Sequence, residues 1–307
     1  MKFGVVIVAC AAGAALGVAP AASAAVRNYW VAAVPATWNA VPNGHDAITG
    51  ARFDPSQTVF PATIYRRYTR NWRRPLRTTP RRGGNQDGIP GPLLRGRVGD
   101  RLVIHFKNLD TRFGRSHSMH FHGVHYKPTS DGAYLPGVSA RDADVKPGRT
   151  WTYRLRAGRD SAGIWPYHDH GPAMEESLEG GMYGILSILG RRERAPDHEY
   201  LVVFAPMGEF QTIDGRAFVG NTPVFSSRVG DLVQWDVIAI GSEHHTFHVH
   251  GHRWVTRDGE PRDTQTVGPA ESLKVRWREH DAGTWLYHCH VETHMMAGMI
   301  GTYRVRR

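Results

Sequence analysis

The sequence predicts an all-β fold of two tandem Greek-key β-sandwich domains, and three observations carry that prediction. First, the chain repeats itself. Arg97-Val98-Gly99-Asp100 followed by Leu102-Val103-Ile104 returns as Arg228-Val229-Gly230-Asp231 followed by Leu232-Val233. His117-Ser118-Met119-His120-Phe121-His122-Gly123 returns as His245-Thr246-Phe247-His248-Val249-His250-Gly251, and Trp165-Pro166-Tyr167-His168-Asp169-His170 as Trp285-Leu286-Tyr287-His288-Cys289-His290. Blocks in one order at nearly one spacing mark a duplicated unit. Second, each copy consists of short segments rich in Val, Ile, Tyr, Trp and Thr, cut by Gly, Pro and Asp, which is the pattern of strands and turns. Third, no long 3.6-residue apolar period occurs, and after the first residues no run approaches the roughly 20 apolar residues of a membrane-spanning helix.

Taken in chain order, residues 1–24 read as a signal peptide: Lys2, an apolar run from Val5 to Val18, and a small-residue cleavage site at Ala22-Ser23-Ala24. A lipoprotein reading on Cys10 is disfavoured because the apolar run continues past it. Residues 25–191 form the expected first domain, lengthened by an N-terminal extension. Gly88-Ile89-Pro90-Gly91-Pro92 and Val145-Lys146-Pro147-Gly148 are its turn elements. The charged stretch Arg191 to Pro196 marks the boundary, and residues 192–307 form the second domain. The expected product is secreted or periplasmic, without a membrane span. Net charge is +10, with an arginine cluster from Arg66 to Arg82 that follows Tyr65 and is interleaved with Tyr68 and Trp72. Export argues against a nucleic-acid partner, so the charge implies attraction to acidic surfaces.

The chain has 18 histidines and 2 cysteines, and removal of the leader leaves Cys289 without a disulfide partner. Residues i and i+2 of a strand face the same side. His120 with His122, His168 with His170, His248 with His250 and His288 with His290 are therefore four same-face pairs. Cys289 and His245 have the opposite parity and face a different site. A thiolate, His245, His294 and a weak axial Met299 describe a blue-copper centre. The eight remaining histidines suit several coppers, although imidazole alone also permits zinc, iron or nickel. Hydrolytic zinc would bring a carboxylate base and three ligands. The first repeat lacks the thiolate site: Asp169 stands where Cys289 does and Met174 where His294 does. His117, aligned with His245, reads as a relic or a packed histidine.

His120-Phe-His122, His168-Asp-His170, His245-Thr-Phe-His248-Val-His250 and His288-Cys-His290-Val-Glu-Thr-His294 resemble the four copper motifs of multicopper oxidases. The resemblance, which also takes in Asp87-Gly88-Ile-Pro-Gly-Pro92, covers essentially all of the mature chain. Two cupredoxin-like domains with the thiolate in the second resemble the two-domain, small-laccase type. The resemblance implies His120 and His248 on a type 2 copper, and His122, His168, His170, His250, His288 and His290 on a type 3 pair. It implies His245, Cys289, His294 and Met299 on a type 1 copper, for four coppers per subunit. It further implies a homotrimer with clusters shared between neighbours, dioxygen as acceptor, and a small reductant such as a phenol, an aromatic amine or a metal ion. Asp131 matches an acidic position that supplies protons, and Tyr126 is a candidate redox-active phenol. Met295 and Met296 border the electron-entry site or belong to the core. Arg27-Asn-Tyr-Trp-Val-Ala-Ala33 and Tyr65-Arg-Arg-Tyr68 look similar to the ceruloplasmin-like branch, which keeps a ferrous or cuprous oxidase as the alternative. Glu243 and Glu292 are candidates for binding that cation. A copper nitrite reductase would need its cysteine at position 169, and a copper-storage protein would not need a complete ligand set. His45, His105, His125, His198, His244, His252 and His280 take no role.

Overall fold

Alternation of inward and outward side chains is clearest in one strand of the first half. In Arg101–Asn108, Leu102, Ile104 and Phe106 are buried while Arg101, Val103, His105 and Lys107 face outward. A computed structural model describes residues 24–78, 88–138, 141–256 and 258–307. All but the last residue of the expected signal peptide, together with Asp87, Arg81 and Arg82, lie outside them. The first half contains Val26–Asn39 (β1), Val59–Tyr68 (β2), Leu94–Arg97 (β3), Arg101–Asn108 (β4), His120–Phe121 (β5), Thr150–Arg156 (β6), Gly163–His168 (β7) and Tyr183–Leu189 (β8). The second contains His198–Met207 (β9), Phe210–Ile213 (β10), Val224–Arg228 (β11), Leu232–Ala239 (β12), His245–Val249 (β13), Trp254–Val255 (β14), Pro261–Arg262 (β15), Thr264–Val267 (β16), Ser272–Arg278 (β17), Gly283–Cys289 (β18) and Ile300–Arg306 (β19). The α-helices among the described residues are short: Pro55–Thr58 (α1), Met174–Glu179 (α2) and Glu292–Met296 (α3).

The duplication is visible in the sheets. β2-β1-β4-β6 corresponds to β10-β9-β12-β17, and β3-β8-β7-β5 to β11-β19-β18-β13-β16. The repeated Arg-Val-Gly-Asp is a turn in both copies, with Gly99 at φ 104° and Gly230 at φ 96°. Its aspartate accepts the backbone N–H of Arg97 in one copy (2.9 Å) and of Arg228 in the other (2.7 Å). Each sheet pair encloses its own core, around Tyr29, Ile104, Phe121 and Tyr167 in the first and Trp235, Phe247, Tyr287 and Tyr303 in the second. A third cluster joins the halves, packing Val34, Ile64 and Ile185 against Leu201, Val203 and Ile238. Burial of that joint surface, at about 25 cal/mol per Å², is what fixes one half on the other.

Candidate metal centres

β13 and β18 run antiparallel with Phe247 opposite Cys289 and His248 opposite His288. The pleat sends His245, Phe247 and Cys289 into the core of the second half and turns His248 and His288 to the opposite face. Two sites therefore share one strand pair back to back. Just past the ligand strands, Gly123 (φ 69°) and Gly251 (φ 72°) lie under Trp165 and Trp285, where a Cβ would meet the indole at 1.9 and 2.7 Å.

On the core side, α3 brings His294 back over the thiol. Cys289 Sγ is 3.8 Å from Nδ1 of both His245 and His294, and those two nitrogens are 3.2 Å apart. A point equidistant from the three lies roughly 2 Å from each, the length of a metal–imidazole bond, so the donors present fit a metal ion. The Thr246 amide donates to the sulfur at 3.3 Å. Met299 is fully buried in the same cluster, and its carbonyl accepts the Cys289 amide at 3.1 Å. Burial first, then the His294 charge, lowers the His245 pKa to about 4, which keeps the imidazole neutral and ready to ligate.

On the other face, His248, His250 and His288 bring their ligand nitrogens within 4.8 Å of one another, and so do His120, His122 and His168 in the first half. His122 and His168 approach Nε2 to Nε2 at 3.2 Å, and His250 and His288 at 3.1 Å. The carbonyls of Asp131 and Asp263 accept Nδ1–H of His120 and His248, each at 2.7 Å, leaving Nε2 toward the cluster. Burial, reinforced by neighbouring imidazoles, lowers His122, His168 and His288 to about 4. The His170 and His290 rings sit against the same clusters, at 5.3 Å from His120 and 5.5 Å from His248, outside the tight nitrogen sets. Among the described residues, no ligand group mixes the two halves.

Asp131 and Tyr126 both lie at His120. The Asp131 carboxylate is 3.5 Å from His120 Nδ1, and the Tyr126 ring is 6.2 Å from the imidazole. Burial, then the Asp131 charge and a hydrogen bond to it, push the Tyr126 phenol up to about 12.

His117 has partners that its alignment did not reveal. Its Nδ1 meets Asp169 at 2.7 Å and its Nε2 meets Asp110 at 3.3 Å, all fully buried. Asp169 also accepts the amides of Ser118 (2.8 Å) and Gly171 (3.0 Å). An ion-paired carboxylate thus occupies the place that the thiol holds in the second half. Burial lowers the His117 pKa, but the two carboxylates outweigh it and raise it overall. His252 is likewise internal, bound to Glu279 at 2.9 Å and to the His250 carbonyl at 2.7 Å. Neither network had a sequence signal beyond the residue types.

Glu243 Oε2 lies 3.5 Å from His294 Nε2 and accepts from Gln211 at 2.7 Å. It borders a cleft of about 580 Å³ whose walls include Glu175, Glu179, Leu178, Pro206 and Ile240. Glu292, the other acidic candidate, is exposed in the first turn of α3 and does not line this cleft. Glu175 and Glu179 belong to α2 of the first half, so the joined halves bring three carboxylates to one cleft, of which Glu243 reaches His294. Met295 is half-buried and Met296 is exposed.

A family model described as multicopper oxidase matches residues 70–193, and a second with that description matches residues 193–307. The chain is 27% identical to Ferroxidase HEPHL1 of Homo sapiens over 94% of its own length and 30% of that protein. It is 27% identical to Homo sapiens ceruloplasmin over 91% of its length and 30% of that protein. The chain therefore spans about 30% of the length of the curated relatives it matches. A solved multicopper oxidase superposes with a TM-score of 0.69 at 24% identity, covering 91% of this chain and 89% of that one, a likeness of fold.

Proposed function

The chain belongs to the multicopper oxidase family, and from that premise we propose that it takes electrons singly from a reductant at the Cys289 site and delivers four to dioxygen, giving water, at a histidine-held cluster. The observation that carries this reading is the back-to-back geometry: a buried Cys289–His245–His294 set shares β13 and β18 with His248, His250 and His288. Bound there, copper would supply the one-electron chemistry and the reduction of dioxygen. His245, Cys289 and His294, with Met299 behind them, would hold the type 1 ion. His120 and His248 would hold type 2, and His122, His168, His170, His250, His288 and His290 the type 3 pair, four coppers per chain. Asp131 holds an acidic group beside His120, and Tyr126 hydrogen-bonds to it as a protonated phenol. The separation of the two histidine groups supports a homotrimer in which the first half of one copy completes the second half of another. The leader-like first 24 residues support an extracytoplasmic location. A nitrite reductase is disfavoured because Asp169, already committed to His117, stands where its cysteine would be.

Two reductant classes fit different walls of the cleft that Glu243 borders. Leu178, Pro206 and Ile240 suit the ring of a phenol, the laccase-like reading. Glu243, Glu175 and Glu179 suit a ferrous ion, and the 3.5 Å approach of Glu243 to His294 favours that reading.

The deciding measurement is the visible spectrum and copper content of the loaded, size-fractionated protein beside Cys289→Ser. Intense blue absorption in the wild type, absent from the variant together with one of its coppers, is the expected result. A colourless wild type at full occupancy would overturn the assignment. Glu243→Gln separates the substrates: ferrous kcat/KM should fall about tenfold while phenol turnover holds. Equal loss on both, or loss on phenol alone, rejects the ferrous reading.

A further inference from the structure

The sheet β2-β1-β4-β6 contains no Asp or Glu in any of its strands, in a chain that has 28. Its outward face carries Arg101 and Lys107 from β4 and Arg154 and Arg156 from β6, three of them exposed and Lys107 half-buried. Arg101 and Arg156 are direct cross-strand partners, an arrangement that like charges disfavour. Among the described residues, no carboxylate lies within 4.0 Å of these four cations. Asp160, which feels the Arg156 charge, is hydrogen-bonded to His125 at 2.8 Å. At the same end of the sheet, Arg156, Arg159 and Arg191 line a cleft of about 360 Å³ with His125 and a single carboxylate, Asp160. A row of unneutralised cations across a sheet costs stability and is retained where an anion offsets it.

The chemistry of the face narrows the anion. Single-stranded nucleic acid needs open aromatic platforms for its bases. Here Trp30 is stacked on His105, with centroids 4.6 Å apart at 11°, and Trp72 lies under Lys107 at 5.9 Å. An anionic membrane is held durably when apolar side chains insert, and Val26 is the one strongly exposed apolar residue on these strands' outward side. A hydrophilic chain with regularly repeated anionic groups needs neither feature. We propose that this face docks a linear acidic polysaccharide, its carboxylate or sulfate groups lying against Arg101, Lys107, Arg154 and Arg156. Such docking would hold the oxidase on an acidic matrix.

The test measures binding of the full copper-loaded protein to polygalacturonate and to heparin across a salt series, with dextran as the uncharged control. The variant Arg101→Gln/Arg154→Gln/Arg156→Gln is set beside Arg228→Gln/Arg304→Gln/Arg306→Gln. That control removes equal charge from the second half, including its own cross-strand pair Arg228 and Arg306. Expected is about a tenfold loss of affinity for the first variant, with a log–log salt slope smaller by about three, and little change for the control. Polygalacturonate and heparin tell carboxylate from sulfate preference, and binding to either at unchanged dextran signal supports the proposal. Equal loss in both variants reduces the effect to net charge and overturns it. So does tighter binding of a single-stranded oligonucleotide or of anionic vesicles at matched charge, or dissociation of the oligomer in the first variant. Should that variant fail to fold, arginine-specific modification of the wild type gives the answer. Arg101, Arg154 and Arg156 are protected by the polysaccharide if the proposal holds, and equally modified with and without it if it fails.

Discussion

Cys289 and Asp169 show how one side chain decides what a buried strand crossing is held by. Both are fully buried at the same point of the repeat. The thiol meets two imidazoles and the Thr246 amide and feels the Glu243 charge only at a distance, whereas the carboxylate is bound by one imidazole and by the amides of Ser118 and Gly171. Asp214 is another buried acid, with a different consequence. Burial drives its pKa well above the ordinary value, opposed only by a hydrogen bond from the Val203 amide. The folded chain thus binds that proton more tightly than the unfolded one. The stabilisation is present below the unfolded carboxyl value, near 4, and declines as pH rises toward the folded pKa. Asp214→Asn keeps the acceptor and suits the backbone at φ 56°. It should raise Tm at pH 7 by several degrees and leave Tm at pH 4 nearly unchanged, as a pH series of thermal melts would read. A lower Tm at pH 7 would show the carboxylate to be ionised and satisfied.

At the scale of elements, the strand pairs β5–β7 and β13–β18 are the frames of the histidine clusters, with His120 opposite His168 and His248 opposite His288. Behind the first frame, the His117–Asp169–Asp110 triad ties the residues before β5 to those after β7. Removing one partner of a buried ion pair leaves the other uncompensated, at about 3 kcal/mol. Asp169→Asn should therefore lower Tm and release copper from the histidine cluster. Because the thiolate site is built on a separate core, its blue absorption should persist. Loss of the blue band together with the cluster copper would mean that the two frames are not independent.

For the whole molecule, no ligand group among the described residues combines histidines of both halves, and the proposed trimer would join the two groups between copies. A His122→Ala chain and a His288→Ala chain should each be inactive alone. Refolded together, they should regain a fraction of the oxygen uptake, since the intact halves can meet across an interface. No recovery in mixed oligomers would place each cluster within one chain. Assembly also decides which surfaces remain open, and the acid-free sheet of the first half is the surface whose exposure the polysaccharide experiment reports.

The repeat and the all-β class were legible in the sequence by itself. Strand parity, a local property with a period of two, reached only part of the histidine pattern. His122, His170, His250 and His290 lie past their strand ends, and His170 and His290 fall outside the tight nitrogen sets. Parity did separate Cys289 and His245 from their neighbours. Tertiary structure alone decided what those faces meet. The partners of His117 are Asp110 and Asp169, and the carboxylates of the cleft that Glu243 borders come from α2 and the β12–β13 loop. The cationic sheet face needs β4 and β6 in register. Such neighbours are distant in sequence and are brought together by the packing of one sheet or half on another. No spacing rule along the chain encodes that packing.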